Sequence, residues 1–243
     1  MQFDYVIVGA GTAGCVLASR LSEDPKVSVA LLEAGRHARR PEIAIPAAFH
    51  RLFKTPLDWG YDTVPQVALD DRRVVFPRGK VVGGSASLNA MMVLRGHGRD
   101  HDEWELPGFT AAELEPCYRA SADGPFGFEL PPKHPLTHAF VESAVAAGLR
   151  RSDDLNAPDN EGAGLVPTST RRGRRFSVVH GYLKPVLRRG NLTLLTDATA
   201  HRVRVEGGRA TGVELLLDGH PETALAGSEV ILAAGTINSP HLL

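Results

Sequence analysis

Three glycines and one acidic residue near the start of the chain have the types and spacing of a dinucleotide-binding site. Gly9 would permit a tight turn, Gly11 would let the backbone approach a pyrophosphate, and Gly14 would allow close helix packing. Glu33 lies nineteen positions after Gly14, where a carboxylate can accept hydrogen bonds from the ribose hydroxyls of adenosine. Because the same carboxylate would repel a 2′-phosphate, the pattern favours NAD or FAD over NADP.

The segments around these residues have the pattern of a strand, a turn, a helix and a second strand. Residues 4–8 and 27–32 have the composition of buried parallel strands, and residues 12–21 are predicted to form the helix between them. Unpaired N–H groups and the dipole at the start of that helix would offset phosphate charge. The predicted site therefore also includes Thr12, Ala13 and Ala34.

A second stretch, residues 83–90, consists almost entirely of small side chains. A flat ring system could lie directly on such a backbone, with main-chain N–H groups directed at its edge, and Asn89 would add a fixed amide. A flexible glycine-serine loop is the alternative, but the flanking apolar residues favour a buried segment. The residues predicted to bind the cofactor here are Val82, Gly84, Ser85, Asn89, Ala90, Met91 and Met92.

The 243 residues carry a formal net charge of −1, with 43% hydrophobic and 23% charged residues. This is the composition of an ordinary globular protein, and it gives no reason to expect binding to nucleic acid. No apolar run reaches the length of a membrane span, and a predicted strand stands where a signal peptide would be. Cys15 and Cys117 suit a reducing compartment and are expected in the core. The expected location is cytoplasmic.

Elsewhere the sequence predicts a long functional loop over residues 36–71. Its Asp58-Trp59-Gly60-Tyr61 cluster could pack over a ligand or anchor the loop to the core, and both remain open. Residues 171–175, with four arginines, are interpreted as a solvated hairpin face in preference to an anion site. The predicted helices span residues 111–121, 136–149 and 178–187, a loop spans 124–135, and the predicted strands span 72–76, 192–196, 201–206, 211–217 and 229–232.

Ten histidines raise the hypothesis of a metal site. The pairs with helical i,i+4 spacing are His97/His101 and His134/His138. Neither pair has the glutamate pattern of a zinc protease, and Pro135 interrupts the second pair. We therefore predict no metal, and we interpret His97 and His180 as structural or loop residues.

These motifs resemble the glucose-methanol-choline (GMC) oxidoreductases, and in particular the bacterial choline-dehydrogenase-like alcohol dehydrogenases. The Gly-Ala-Gly-Thr-Ala-Gly turn with Leu32-Glu33-Ala34-Gly35 resembles the FAD-binding opening of that family, and residues 79–89 resemble its first signature. The resemblance touches almost the whole chain and continues through Arg95-Gly96-His97, Asp102-Glu103-Trp104, residues 156–164 and Asn191-Leu192-Thr193.

The resemblance implies an α/β fold, in which an FAD-binding Rossmann-like parallel sheet with a β-meander is interrupted by part of an α+β substrate domain. The implied FAD-binding domain comprises residues 1–125 and 185–243, and residues 126–184 would be the partial substrate domain. Ala200 would present its backbone to the adenine, and Ala234 and Gly235 would lie close to the dinucleotide. Some flavin oxidases of the family carry a histidine bonded to the flavin. This chain has Leu88 at that position, so FAD would be held non-covalently.

By the same resemblance, the whole enzyme would oxidise an alcohol to an aldehyde or ketone, with hydride transfer from the substrate carbon to flavin N5. The catalytic histidine of the family would lie beyond Leu243, so no residue here is assigned a catalytic role. Ser239 and Pro240 are predicted to begin a helix that the end of the chain interrupts. We therefore expect a truncated or split product, whose partners would be an alcohol substrate and the missing C-terminal half or a complementing chain.

Two other function classes remain open. A non-catalytic FAD- or nucleotide-binding module would need only the glycine turn and the acid. An NAD-dependent dehydrogenase is allowed by Glu33 alone, but residues 83–92 would have no evident task in such an enzyme.

Overall fold

The computed structural model describes residues 1–125, 127–130 and 134–243. The chain divides into two compact units, one formed by Met1–Ala90 with Ser177–Leu243 and the other by Met91–Phe176. These boundaries differ from the predicted ones at residues 125/126 and 184/185. The predicted middle domain and the predicted loop over residues 124–135 include residues 126 and 131–133, which lie outside the described residues. The three-part domain assignment stays a prediction.

The described residues contain eight strands, seven α-helices and several short helices of other types. The strands are β1 (Gln2–Val8), β2 (Val29–Leu32), β3 (Thr170–Arg171), β4 (Arg174–Arg175), β5 (Leu192–Leu195), β6 (Ala198–Glu206), β7 (Arg209–Leu217) and β8 (His220–Leu232). The α-helices are α1 (Thr12–Leu21), α2 (Pro41–Ala44), α3 (Gly98–Asp102), α4 (Ala111–Ala122), α5 (Pro135–Ala146), α6 (Lys184–Val186) and α7 (Gly235–Leu242). The 3₁₀ helices are Pro46–Leu52, Val67–Leu69 and Gly84–Ser87, and a π-helix spans Val179–Leu183.

The first unit is built on a six-stranded mixed sheet with the strand order β5-β2-β1-β8-β7-β6. The strands β5, β2 and β1 are parallel, β1 also pairs in parallel with β8, and β6, β7 and β8 form an antiparallel meander. The predicted α/β fold is therefore confirmed, including the strand at residues 192–196 and the β-meander.

The last strand differs from its prediction, which placed it at residues 229–232 only. The strand β8 has 13 residues and takes part in two ladders in succession. Its first half pairs antiparallel with β7 as far as Leu225, and from Leu225 onward it pairs in parallel with β1. The polar residues in the middle of β8 made a single long strand hard to predict from the sequence. A strand that changes its partner does not keep the same face buried along its whole length.

One core cluster of this sheet is formed by side chains that alternate along the strands. The cluster of buried side chains comprises Val6, Val8, Ala30, Leu32, Ala198, Val213, Leu215, Ala224 and Ala226. On α1 the buried residues are small: Gly14, Cys15, Ala18 and Ser19. Because β2 is buried along its whole length, its carboxyl end delivers the next residue, Glu33, into the interior.

Helices with clear boundary residues agree with their predictions. Thr110 and Glu113 form a capping box at the start of α4, which satisfies two N–H groups that a helix start otherwise leaves unpaired. Pro135 occupies the first position of α5, where a missing N–H costs nothing. The predicted helix at residues 178–187 is a π-helix followed by α6, and Pro185 lies in the first turn of α6.

Three local predictions are wrong. Residues 72–76 form isolated bridges instead of a strand, because Asp70 and Asp71 adopt left-handed conformations that turn the chain just before it can pair regularly. The final helix α7 begins at Gly235 and not at Ser239. Cys117, expected in the core, is exposed on α4, whereas Cys15 is buried.

The arginine-rich segment forms the predicted hairpin, in which β3 pairs with β4. The guanidinium of Arg171 lies 3.8 Å from the ring centroid of Phe176. Arg171, Arg172 and Arg174 are exposed as predicted, but Arg175 is buried, so the solvated face comprises three of the four arginines. Among the described helices, none combines the length and the apolar character needed to cross a membrane.

Candidate cofactor site

The turn between β1 and α1 has the geometry expected of its three glycines. Gly9 has a φ of +102°, a conformation that favours glycine. A Cβ atom at position 14 would lie 1.9 Å from the Gly9 carbonyl oxygen, so α1 can pack against the turn only with glycine there. A Cβ atom at position 11 would have no atom within 4 Å. The backbone of Gly11 is therefore open to a ligand.

Glu33 follows β2 directly and is 5% exposed. Its Oε2 accepts a hydrogen bond from the Ala10 N–H at 3.1 Å, and its Oε1 accepts one from the Gly35 N–H at 3.0 Å. Burial raises the pKa of the Glu33 carboxyl to about 7, although these two hydrogen bonds and the charge of Lys80 oppose the rise. The acid is thus held in one place by the backbone on both of its sides.

A cavity of ≈ 280 Å³, here called the strand-end cavity, lies at the carboxyl ends of β1 and β2. Its lining includes five residues of the predicted site: Gly9, Glu33, Ala34, Ala200 and Ala234. Most of its other lining residues are apolar or aromatic, and they come from the start of β6, from α7 and from the loop that contains Trp59 and Tyr61. An apolar cavity beside a ribose-binding acid suits a purine base.

A second cavity of ≈ 400 Å³, the loop cavity, lies over the glycine turn. Its lining includes eight residues of the predicted site, two of them shared with the first cavity: Gly9, Gly11, Thr12, Ala13, Gly84, Ser85, Ala234 and Gly235. The helices α1 and α7 both start at this cavity, and neither has a side-chain cap at its N-terminus. The first N–H groups of a helix have no partner inside the helix. The loop cavity therefore offers backbone donors to an anion such as a diphosphate.

The two cavities adjoin each other, because Gly9, Ala234 and Asn238 line both of them. One end carries the acid and the apolar wall, and the other carries the helix starts. This order matches the order of base, ribose and diphosphate in an adenine dinucleotide. The residues present thus fit the predicted cofactor, although contacts to a ligand remain a prediction.

The small-residue segment is not a free loop. Gly83 donates its N–H to the Ala10 carbonyl at 2.7 Å, which joins this segment to the glycine turn. Residues 84–87 form a 3₁₀ helix, and Leu88 is 2% exposed in an apolar cluster with Leu52 and Val81. The segment is therefore docked on the turn, with Gly83, Gly84, Ser87 and Leu88 buried, whereas Ser85 and Asn89 are exposed.

Six residues of the predicted site do not line either cavity. Gly14 lies behind the turn, Val82 is 5% exposed with its carbonyl bonded to the Ser87 hydroxyl, and the Asn89 N–H donates to the Ser85 carbonyl. The others are Ala90, Met91 and Met92. Met91 and Met92 belong to the second unit, where the Ser169 N–H donates to the Met91 carbonyl at 2.9 Å. A role for these six in binding stays a prediction.

The sequence left open whether the Asp58 cluster packs over a ligand or anchors the loop; in the structure Asp58 anchors the loop, and contact of Trp59 and Tyr61 with a ligand stays a prediction. Trp59 and Tyr61 line the strand-end cavity and are nearly parallel, with centroids 6.0 Å apart and an interplanar angle of 5°. The Tyr61 hydroxyl also donates to Asn238 Oδ1 at 2.7 Å. Asp58 is buried and accepts three backbone hydrogen bonds, from Lys54, Gly60 and Arg78.

Sequence reasoning missed Arg78 and Asn238 as cavity residues. Arg78 lies at the start of the stretch over residues 77–92 that resembles the family, but it was not assigned to the cofactor; its position directly before Gly79, where the family signature begins, was the available signal. Asn238 had no signal of its own, because its place depends on where α7 begins.

Several histidines of the described residues make structural hydrogen bonds. His97 and His134 are the N-cap residues of α3 and α5, and the Nδ1 atom of each accepts a backbone N–H. His180 Nδ1 accepts the Ser177 N–H at 3.2 Å. Within residues 1–125, 127–130 and 134–243, no group of three or more metal-binding side chains is found.

Comparison of the sequence with known proteins finds a matching family. A family model described as GMC oxidoreductase matches residues 3–243. An oxygen-dependent choline dehydrogenase of Sinorhizobium fredii is 42% identical over 260 residues, which cover 100% of this chain and 47% of the relative. A GMC-type oxidoreductase of Mycobacterium tuberculosis is also 42% identical and is covered to 49%. The chain thus spans about half the length of the curated relatives that it matches.

Solved structures give the same result. The pyridoxine 4-oxidase of Mesorbium loti has a TM-score of 0.94 at 34% identity, over 99% of this chain and 51% of that protein. An FAD-dependent oxidoreductase of Chaetomium thermophilum has a TM-score of 0.90 at 27% identity, over 99% and 47%. A formate oxidase has a TM-score of 0.87 at 26% identity, over 100% and 47%.

Proposed function

Since this chain belongs to the GMC oxidoreductase family, we propose that it forms the FAD-binding part of an enzyme that oxidises the CH–OH group of an alcohol. FAD as the cofactor agrees with the family and with a structural relative described as FAD-dependent. The alcohol, the electron acceptor and the action of the whole protein go beyond these similarities and form the proposal.

The observation that carries the proposal is that the two cavities adjoin at Gly9 and Ala234. Glu33 stands at one end, where it would accept hydrogen bonds from the ribose. The uncapped starts of α1 and α7 stand at the other, where their N–H groups would bind the diphosphate. A single extended dinucleotide would use both ends at once.

Bound FAD would supply the acceptor for a hydride that leaves the substrate carbon. The part of this chain is to hold and orient the cofactor. Leu88 lies in an apolar cluster with Leu52 and Val81 and has no atom that could form a covalent bond to a flavin. We therefore propose non-covalent attachment.

The substrate class rests on the names of relatives. The choline dehydrogenase and the pyridoxine 4-oxidase are named for molecules that carry a hydroxyl group. We propose a small alcohol, with choline as the first compound to test. General base catalysis typically contributes about 10² to 10⁴-fold, and none of the described histidines lines the loop cavity. The base would therefore come from a segment that corresponds to the half of the relatives that this chain does not match.

A non-catalytic FAD-binding module is the second candidate, and the half-length match to the relatives favours keeping it. An NAD-dependent dehydrogenase is disfavoured, because residues 83–90 are docked on the glycine turn and would have no task in binding NAD. A cytoplasmic location stays a prediction.

The test uses the 243-residue chain purified and incubated with FAD, then desalted. Retention of the flavin absorbance band is expected, and retention of NAD in its place would refute the proposal. The loaded chain is next mixed anaerobically with choline and other primary alcohols, with and without a polypeptide that carries the matching second half of a relative.

Bleaching of the flavin only with that polypeptide is the expected result. No bleaching under either condition would favour the non-catalytic module. Bleaching by the chain alone would show that the base lies within it, and His97 and His180 would then be the first residues to replace.

A further inference from the structure

Arg78 is a charged residue of the loop cavity that neither the glycine pattern nor the acid accounts for. It is the only charged residue among the side chains that line this cavity in the described part of the chain, and no acidic residue lines it. Within the described part of the chain, Arg78 also makes no ion pair. Its guanidinium donates to the Pro77 carbonyl at 2.7 Å and lies 3.8 Å from the ring centroid of Phe76. Most of its five N–H donors are thus left for another partner.

The backbone of Arg78 is held in place from both sides. Its N–H donates to Asp58 Oδ1 at 2.9 Å, and its carbonyl accepts the Trp59 N–H at 2.8 Å. The next residue, Gly79, donates its N–H to Ser85 Oγ at 3.1 Å. Because Asp58 is buried, this arrangement fixes where the side chain of Arg78 starts.

We infer that Arg78 is the side-chain counter-charge for the diphosphate of the bound dinucleotide. The inference rests on the proposed FAD-binding function and adds a residue that determines affinity. The loop cavity collects the starts of α1 and α7 together with one arginine and no acidic residue, so its charged residue and both helix dipoles favour a negative ligand. A ligand with two linked phosphates would neutralise this excess, whereas a nucleoside would not.

The test compares ADP with adenosine, using calorimetry on the full 243-residue chain. Arg78→Met should weaken ADP binding roughly 10- to 150-fold, because a charge-assisted hydrogen bond is lost. Adenosine binding should not change. Arg73→Met is the matched control, since Arg73 is exposed in the same loop and lines neither cavity, and it should leave both affinities unchanged. Arg78→Lys should give an intermediate loss, because lysine keeps the charge but not the planar fork.

Equal ADP affinity in Arg78→Met and in the wild-type chain would overturn the inference. It would not contradict the proposal that the chain binds FAD. Failure of the wild-type chain to bind either FAD or ADP would instead refute the proposed function. If Arg78→Met does not fold by circular dichroism, the salt dependence of the wild-type chain decides. ADP affinity should fall as salt rises while adenosine affinity stays level, and a level ADP affinity would contradict the role of Arg78.

Discussion

The carboxylate of Glu33 accepts a hydrogen bond from the backbone N–H of Ala10 at 3.1 Å, which ties the acid at the end of β2 to the turn after β1. A second hydrogen bond comes from Gly35. Both are local supports for a buried acid, and they leave lone pairs of the same oxygens for a ligand, since each carboxylate oxygen can accept more than one bond. Glu33 therefore holds the backbone of the turn in place and also lines the strand-end cavity.

The role of Glu33 in binding is tested by Glu33→Gln, which keeps the shape of the side chain and removes its charge. FAD affinity should fall roughly 5- to 30-fold, because neutral hydrogen bonds to the ribose are weaker than charge-assisted ones by about 1 to 2 kcal/mol. Flavin retention on desalting and calorimetry measure the effect. The control is Glu23→Gln, at an exposed residue that pairs with Arg20, and unchanged retention in both variants would contradict the predicted role.

Glu33 should also make stability depend on pH. Burial raises its pKa from 4.5 to about 7 in the folded chain, so between these values the folded state binds more protons than the unfolded state. The free energy of unfolding should therefore decline as pH rises from about 4.5 to about 7, by on the order of 2 to 4 kcal/mol from this group. Urea unfolding of the cofactor-free chain across this range measures the slope. Glu33→Gln should flatten it, and equal slopes in both proteins would show that another group is responsible.

Two glycines of the turn should respond differently to alanine. At position 14 a Cβ atom would lie 1.9 Å from the Gly9 carbonyl oxygen, so Gly14→Ala should lower the free energy of unfolding by about 1 to 3 kcal/mol. At position 11 the φ is −75° and no atom lies within 4 Å of a Cβ. Gly11→Ala should therefore keep wild-type stability but weaken FAD binding, because its methyl group would enter the loop cavity.

Thermal unfolding and FAD titration of these two variants separate the packing role from the binding role. Wild-type stability in Gly14→Ala would mean that α1 can shift away from the turn without cost. Wild-type FAD affinity in Gly11→Ala would mean that the cofactor does not approach the turn.

Flavin should leave the protein intact when the loaded chain is precipitated with acid. Leu88 cannot form a covalent link, and the Cys15 thiol is buried, donates to the Ala10 carbonyl at 3.2 Å and has its pKa raised to about 12 by burial. A thiol of this kind is a poor nucleophile. The measurement is absorbance of the supernatant and the pellet after precipitation. Yellow colour that stays in the pellet would show a covalent bond and would contradict the alignment of residues 83–90 with the family signature.

The β1-α1-β2 unit could be predicted from the sequence with accurate bounds for α1 because its information is local. Apolar runs define the two strands, the spacing of Gly9, Gly11 and Gly14 defines the turn, and Glu33 follows the second strand directly. Each of these signals acts within a few residues of the structure that it specifies. Residues 83–90 were likewise recognisable from their apolar flanks as a packed segment and not a free loop, although Ser85 and Asn89 within it are exposed.

Only the tertiary structure decided which distant residues complete the site. Tyr61 and Asn238 are 177 positions apart and meet through a hydrogen bond, so no window of sequence contains both. The start of α7 was misjudged because Ser239 and Pro240 are good helix-start residues by local preference. In the fold, the pairing of β8 with β1 ends where the Ala233 N–H donates to the Val8 carbonyl, and α7 begins soon afterwards. The place where a strand stops depends on its partner strand, and this non-local constraint outweighed the local preference.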